Sequence, residues 1–281
     1  MKRLITLTLS LSVVISTFSQ RGKDGDYTVN SADEILNAYT YLTSNENVGS
    51  TQIQVNSNSL NSGFFSSNLA SGDLLMIIQM QGADIFVDMR PVGWGGSHTW
   101  PNDFTWGDLV PNANWIGTAG YENSGNNELV EVHSVSGGGI VNLQCGLKNA
   151  YTASGHVQVI RIPRFNNLTI NNTVTAPSWN GNFGGVVGIE TDGILNINTV
   201  DAINVDGKGF RSGKATDNVS SNTSAGSPGK WASSNNLEGG EKGEGIAGDW
   251  GIYDANLHGR YCRGAAANAG GGGTAHNAGG G

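Results

Sequence analysis

The chain has 281 residues, a formal net charge of −8 and 43 glycines. An acidic balance with only 15 Lys and Arg excludes a surface built to track phosphates, so no nucleic-acid partner is expected. Two cysteines without histidines at ligand spacing exclude a structural zinc site, and His133, His156 and His258 show no such spacing.

Residues 1–19 read as a secretory signal peptide. Lys2 and Arg3 precede an apolar stretch from Leu4 to about Phe18, and the small residues Thr17 and Ser19 stand just before Gln20. Thr6, Thr8, Ser10 and Ser12 interrupt that stretch, which falls short of the ~20 residues of a spanning helix. No later segment is long and apolar enough to span a bilayer. The expected location is therefore extracellular, secreted or at the cell surface. An oxidising compartment makes Cys145 and Cys262 a candidate disulfide.

Residues 20–165 read as a small β-sheet or barrel-like domain. Residues 32–41, with Ser31 or Asp33 as cap, are the one stretch that looks helical. Thr51-Gln-Ile-Gln-Val55 alternates polar and apolar residues, as a half-buried strand does. Asp73-Leu-Leu-Met-Ile-Ile-Gln-Met80 is nearly continuous apolar sequence and predicts a central strand. Residues 128–135, Gly137-Gly-Gly139 and residues 140–143 predict a hairpin, and residues 156–162 alternate until Pro163 stops them.

Residues 84–120 interrupt this pattern as a loop-rich insertion holding four of the seven tryptophans, Trp94, Trp100, Trp106 and Trp115. Loops this long in compact domains are usually functional or mobile. The four are the candidate ligand-binding residues, because indole faces offer large contact area to a sugar ring or another protein at low entropic cost. The competing role is that of buried anchors that fold the insertion.

Residues 166–281 change texture. Leu168-Thr-Ile-Asn-Asn-Thr-Val-Thr-Ala176 aligns with Leu195-Asn-Ile-Asn-Thr-Val-Asp-Ala202 once a single position is skipped. A repeat with a period of about 27 residues, short strands, Asn and Gly corners and no helix signal predicts the start of a glycine-rich, right-handed parallel β-helix. From Asp201 onward every fourth residue, on average, is glycine. Trp231, Trp250, Ile252, Tyr253 and Tyr261 make this stretch too apolar for a linker, and with no terminal cap in view the solenoid is expected to continue. The fold class is all-β.

Four pieces, Gly72-Asp-Leu-Leu-Met-Ile-Ile-Gln-Met-Gln-Gly-Ala83, Val157-Gln-Val-Ile-Arg-Ile-Pro-Arg-Phe165, Ala176-Pro-Ser-Trp-Asn-Gly181 and Val205-Asp-Gly-Lys-Gly-Phe-Arg211, resemble large bacterial surface proteins. These are the adhesin-like proteins of myxobacteria and Bacteroidetes annotated with gliding motility or exported by a dedicated outer-membrane system. The resemblance implies a surface, attachment or motility role and supplies no catalytic residue. The tryptophan-rich insertion and the lack of a recognisable C-terminal sorting module depart from that pattern.

Local motifs add no enzyme signature. Gly243-Glu-Gly-Ile-Ala-Gly248 has dinucleotide-loop spacing but lacks a preceding buried strand. There is no G-x-S-x-G elbow and no H-E-x-x-H pair. The acids Glu190 with Asp192, or Asp201 with Asp206, are the candidates for a carbohydrate-active β-helix enzyme, a polysaccharide lyase or glycosidase. Calcium at turn carboxylates is the one cofactor considered, without an EF-hand loop or Asp-rich nonapeptide to support it. The sequence thus favours a noncatalytic structural or adhesive module whose partners are surface glycans or other surface proteins. A carbohydrate-active enzyme and a tryptophan-based carbohydrate-binding module are the alternatives.

Overall fold

A computed structural model describes residues 21–84, 120–212 and 243–248. Residues 1–19, predicted as a signal peptide, the four insertion tryptophans and Cys262 lie outside these residues. Within them the regular structure is β, with one short 3-10 turn at Ala153–Gly155.

The strands are β1 (Tyr27–Val29), β2 (Glu34–Ile35), β3 (Ala38–Tyr41), β4 (Gln52–Gln54), β5 (Leu74–Gln79), β6 (Asn127–Ser136) and β7 (Ile140–Leu143). After them come β8 (Val157–Ile162), β9 (Arg164–Phe165), β10 (Leu168–Ile170), β11 (Val174–Thr175), β12 (Glu190–Thr191) and β13 (Leu195–Ile197).

Six of them form one antiparallel sheet in the order β3-β8-β5-β6-β7-β4. The sheet curls until its edge strands meet at a Leu42–Val55 bridge. Its concave side holds the larger core, where Ile53, Leu75, Ile77, Val132, Val141, Val157 and Val159 are fully buried. Alternation sends Leu74, Met76 and Ile78 of β5 to the opposite side, where they pack with Ile160, Ile162, Tyr39 and Val186. β8 is therefore covered on both faces, and all six of its residues are buried. The predicted hairpin is β6–β7, with a register shift between Val132 and Ser134.

The remaining strands pair in parallel as three stacked rungs. β1, β10 and β13 form one column, in the register Tyr27–Leu168–Leu195 and Val29–Ile170–Ile197. β2 and β11 form a second column, extended by a Val174–Ile203 bridge, and β9 and β12 a third. Inside the rungs Val29, Leu36, Phe165, Leu168, Ile170 and Val174 make a separate core. This is the parallel β-helix architecture that the repeat predicts.

Two expectations need correction. Residues 32–41 are not helical. Asp33 adopts a left-handed conformation (φ 56°), and the buried-intermediate alternation of Ala38–Tyr41 suits β3, whose aromatic and β-branched residues pack well in a sheet. The second half of the repeat also shifts. Leu168 pairs with Leu195 as the alignment predicts, but Val174 meets Ile203, where the gapped alignment requires Val200. The third rung makes a wider corner, and Val200 is left 85% exposed on it.

The first rung comes from ahead of the antiparallel sheet. The chain leaves the solenoid after β2, builds β3 to β8, and re-enters at β9. The Ala38–Arg161 pair of β3 and β8 holds exit and entry together.

Candidate functional site

The densest chemistry among the described residues lies where β8 runs into β9, at the joint between sheet and rungs. Arg161 and Arg164 sit on either side of Pro163, 3% and 2% exposed. Two long cations at such depth need carboxylates and carbonyls around them.

Arg161 has them on the concave side of the sheet. Its Nη2 lies 2.7 Å from Oδ2 of Asp73, itself 2% exposed. Its Nη1 donates to the carbonyls of Leu60 and Ser67 at 2.9 and 2.7 Å, and its guanidinium sits 3.9 Å above the Phe65 ring. Arg161 thus ties residues 60–67 across the mouth of the sheet. Asp73 also accepts from Ala70 N and from the Lys23 ammonium, which reaches in from the turn ahead of β1.

Arg164 points the other way, to two acids on different elements. Its Nη1 donates to Glu131 of β6 at 2.7 Å, and its Nε and Nη2 hold Glu190 of β12. Burial alone would lower the Arg164 pKa, but the hydrogen bonds to Glu190 and Glu131 outweigh it and raise the value. One guanidinium thereby joins second rung, third rung and sheet.

Along the rungs, polar side chains repeat at corners. Asn171 Nδ2 donates to Asn30 Oδ1 at 3.0 Å and Asn198 Nδ2 to Asn171 Oδ1 at 2.8 Å, an asparagine column three rungs high. At the preceding corner Asp26 accepts from the side chains of Asn166 and Asn167, and these bonds lower its pKa. Tyr27 donates to Glu34, and that bond, with burial, pushes its phenol up to about 12.

At residues 243–248, Gly245 and Gly248 bridge each other in a tight turn. Glu244 takes Arg211 Nε and Nη2, each at 2.7 Å, and Trp179 Nε1 at 3.1 Å. Burial would raise its pKa, but the bonds from Arg211 and Trp179 outweigh that and lower it.

The candidate acids do not converge in this geometry. Glu190 lies directly over Arg164 in the β9–β12 register and is engaged by it, so it does not share a solvent face with Asp192. β12 ends at Thr191, which leaves Asp192 exposed beyond the strand. Asp201 and Asp206 are exposed at corners. Among the described residues no group of three or more His, Cys, Asp or Glu is placed to hold a metal ion. Cys145 is exposed, and Cys262 lies outside the described residues. Trp94, Trp100, Trp106 and Trp115 also lie outside them, although the Asp84–Gly120 bridge joins the two ends of that insertion. Among the described residues no helix is long and apolar enough to cross a membrane.

Sequence reasoning missed both arginines and the first rung. A signal for the rung was present, because Tyr27-Thr-Val-Asn30 repeats the apolar-x-apolar-Asn of 168–171 and 195–198. The whole antiparallel sheet stands between it and its neighbour in the chain, which puts it beyond the period of the repeat.

No protein-family profile matches the chain, and a search of curated proteins finds no match. The solved structures similar to it include three bacteriophage tailspikes. The Pseudomonas phage phi297 tailspike gp61 is 17% identical, with a TM-score of 0.24 over 49% of this chain and 15% of that one. The Gp54 tailspike of Acinetobacter baumannii bacteriophage AP22, solved in complex with A. baumannii capsular saccharide, is 16% identical, with a TM-score of 0.27 over 63% and 28%. The tailspike gp49 of Pseudomonas phage LKA1 is 15% identical, with a TM-score of 0.24 over 55% and 27%. The chain spans little more than a quarter of the longest-matched of these. Likeness at this level carries no argument, and the rungs described above rest on the strand pairing of this chain alone.

Proposed function

We propose that the chain is an exported, noncatalytic structural module of the bacterial cell surface, of the adhesin-like, motility- or attachment-associated kind that residues 72–211 resemble. The observation that carries this reading is the engagement of Glu190. The one candidate acid next to a buried group is held by Arg164 as part of the joint between rungs and sheet. Its buried charges thus serve to fasten one β unit to another, which suits a rigid spacer. On this reading its partners are surface glycans or other surface proteins, with Trp94, Trp100, Trp106 and Trp115 as the contact residues to test.

The test has two arms. The full chain, expressed with its own N-terminus in a Gram-negative host, is fractionated and then incubated with a broad polysaccharide panel. Export with no cleavage is the expected result. Retention in the cytoplasm, or polysaccharide cleavage abolished by Glu190→Gln or Asp192→Asn, refutes the reading.

A further inference from the structure

Exposed apolar surface is concentrated on the third rung. Among the described residues ten large apolar side chains are exposed, and six of them, Ile194, Leu195, Ile197, Val200, Ile203 and Val205, lie between residues 194 and 205. Leu168 and Ile170 of the rung beneath are 0% and 1% exposed, whereas Leu195 and Ile197, in register above them, are 50% and 56% exposed. Single exposed apolar residues are ordinary on a protein surface, but a patch of this kind marks an interaction site.

The backbone at this patch is unpaired as well. β13 is the last strand of its column among the described residues. Leu168 N donates to Ile194 O and Asn198 N to Ile170 O, so Ile194, Asn196 and Asn198 turn their backbone groups towards β10. Strand alternation aims the N–H and C=O of Leu195 and Ile197 the opposite way, where no described strand meets them. Natural sheet edges are commonly blunted by charged side chains or proline. Ile194-Leu-Asn-Ile-Asn-Thr-Val200 carries neither.

This edge is complementary to itself. A two-fold axis perpendicular to the sheet, passing beside Asn196, runs two β13 edges antiparallel. Leu195 then exchanges both backbone bonds with Ile197 of a second copy, and Ile197 does the same with its Leu195. The same axis keeps both apolar faces on one side, so leucine meets isoleucine in each pair. No charge enters the pairing, because the nearest acids, Asp192 and Asp201, lie beyond the ends of β13. The six exposed residues offer roughly 600 Å² per copy, and two copies together reach the lower end of the ~1,200–2,000 Å² that stable interfaces bury.

We propose that the third rung is a dimerisation edge, at which β13 of two copies of this chain pair antiparallel with Leu195 of each opposite Ile197 of the other.

The experiment uses the full chain with Cys145→Ser and Cys262→Ser. Analytical ultracentrifugation at micromolar concentration should show a dimer. Ile197→Lys sets a lysine in each apolar pair and should weaken association about a hundredfold or more. Val48→Lys, at an exposed apolar residue outside the third rung, should leave association unchanged. In the proposed register Asn196 stands opposite its own counterpart as a non-hydrogen-bonded pair, with Cα atoms about 4.5 Å apart and within disulfide reach. Asn196→Cys should therefore give a 196–196 disulfide between two copies on mild oxidation, read by peptide mass spectrometry, while Val48→Cys stays unlinked. A monomer, a dimer unmoved by Ile197→Lys, or a dimer without the 196–196 link would overturn the proposal. So would open-ended polymers, which would mean that the third rung meets a different surface of the next copy.

Discussion

Replacing Asp73 by asparagine removes one charge from the Arg161 cluster and almost no volume. Asp73 is 2% exposed, and its two oxygens accept from Ala70 N, Arg161 and Lys23. Asparagine offers one acceptor oxygen and turns its NH₂ group towards one of two cations that can only donate. Removing one partner of a buried ion pair costs about 3–5 kcal/mol. The lower end applies, because Arg161 keeps the Leu60 and Ser67 carbonyls and the Phe65 ring, and Lys23, with its side chain 22% exposed, can turn to water. A loss of about 3 kcal/mol, at a urea m-value of about 3 kcal/mol/M, moves the unfolding midpoint down by about 1 M. The assay is urea unfolding followed by tryptophan fluorescence. Arg161→Met should cost less in the Asp73→Asn background than alone, since the two share one interaction. A midpoint shift below about 0.3 M with an unchanged m-value, or strict additivity of the pair, would refute the buried-pair reasoning.

Three further outcomes are expected. Asn171→Ala breaks the middle of the asparagine column and, at an exposed corner, should cost about 1 kcal/mol in the same unfolding assay. Gly139→Ala should cost about 2 kcal/mol or more, because φ is +82° there and a Cβ would stand 2.2 Å from the Val55 carbonyl oxygen. Gly137→Ala, two residues away with nothing near its Cβ, should stay within about 0.5 kcal/mol. The Glu244 clamp should be sensitive to acid. Its carboxyl titrates below the ordinary 4.5 when folded, so the clamp's stabilisation is complete above that value and is lost as pH falls through the lower folded pKa. Limited proteolysis near residues 243–248 should therefore increase on acidification, and Glu244→Gln should abolish that pH dependence.

Strands whose burial follows local pattern were readable from sequence. Leu74–Gln79 and the glycine-linked β6–β7 pair carry their own periodicity, and the Leu168–Leu195 match places equal residues directly above one another. The segment from Ser31 to Tyr41 was not readable, because its strands exist only through partners far along the chain, Val174 for Glu34 and Arg161 for Ala38. Arg161 and Arg164 look like ordinary strand charges in a sequence. Only the fold shows that one lies under Phe65 and the other between Glu131 and Glu190. The acids were legible as residues and misleading as a pair, since Arg164 beneath Glu190 decides where that side chain goes.

The detour between the first and second rungs bears on the order in which the molecule can assemble. In the asparagine column Asn30 and Asn171 stand 141 positions apart along the chain, whereas Asn171 and Asn198 stand 27 apart. In an unstructured chain the longer closure costs about 1.5 kcal/mol more, and folding rates fall as such distant contacts multiply. Once β3 and β8 have paired, Ala38 and Arg161 are neighbours, and the ends of the first two rungs arrive side by side. The antiparallel sheet is thus placed to act as an internal template, folding early and leaving the first rung to be laid down last.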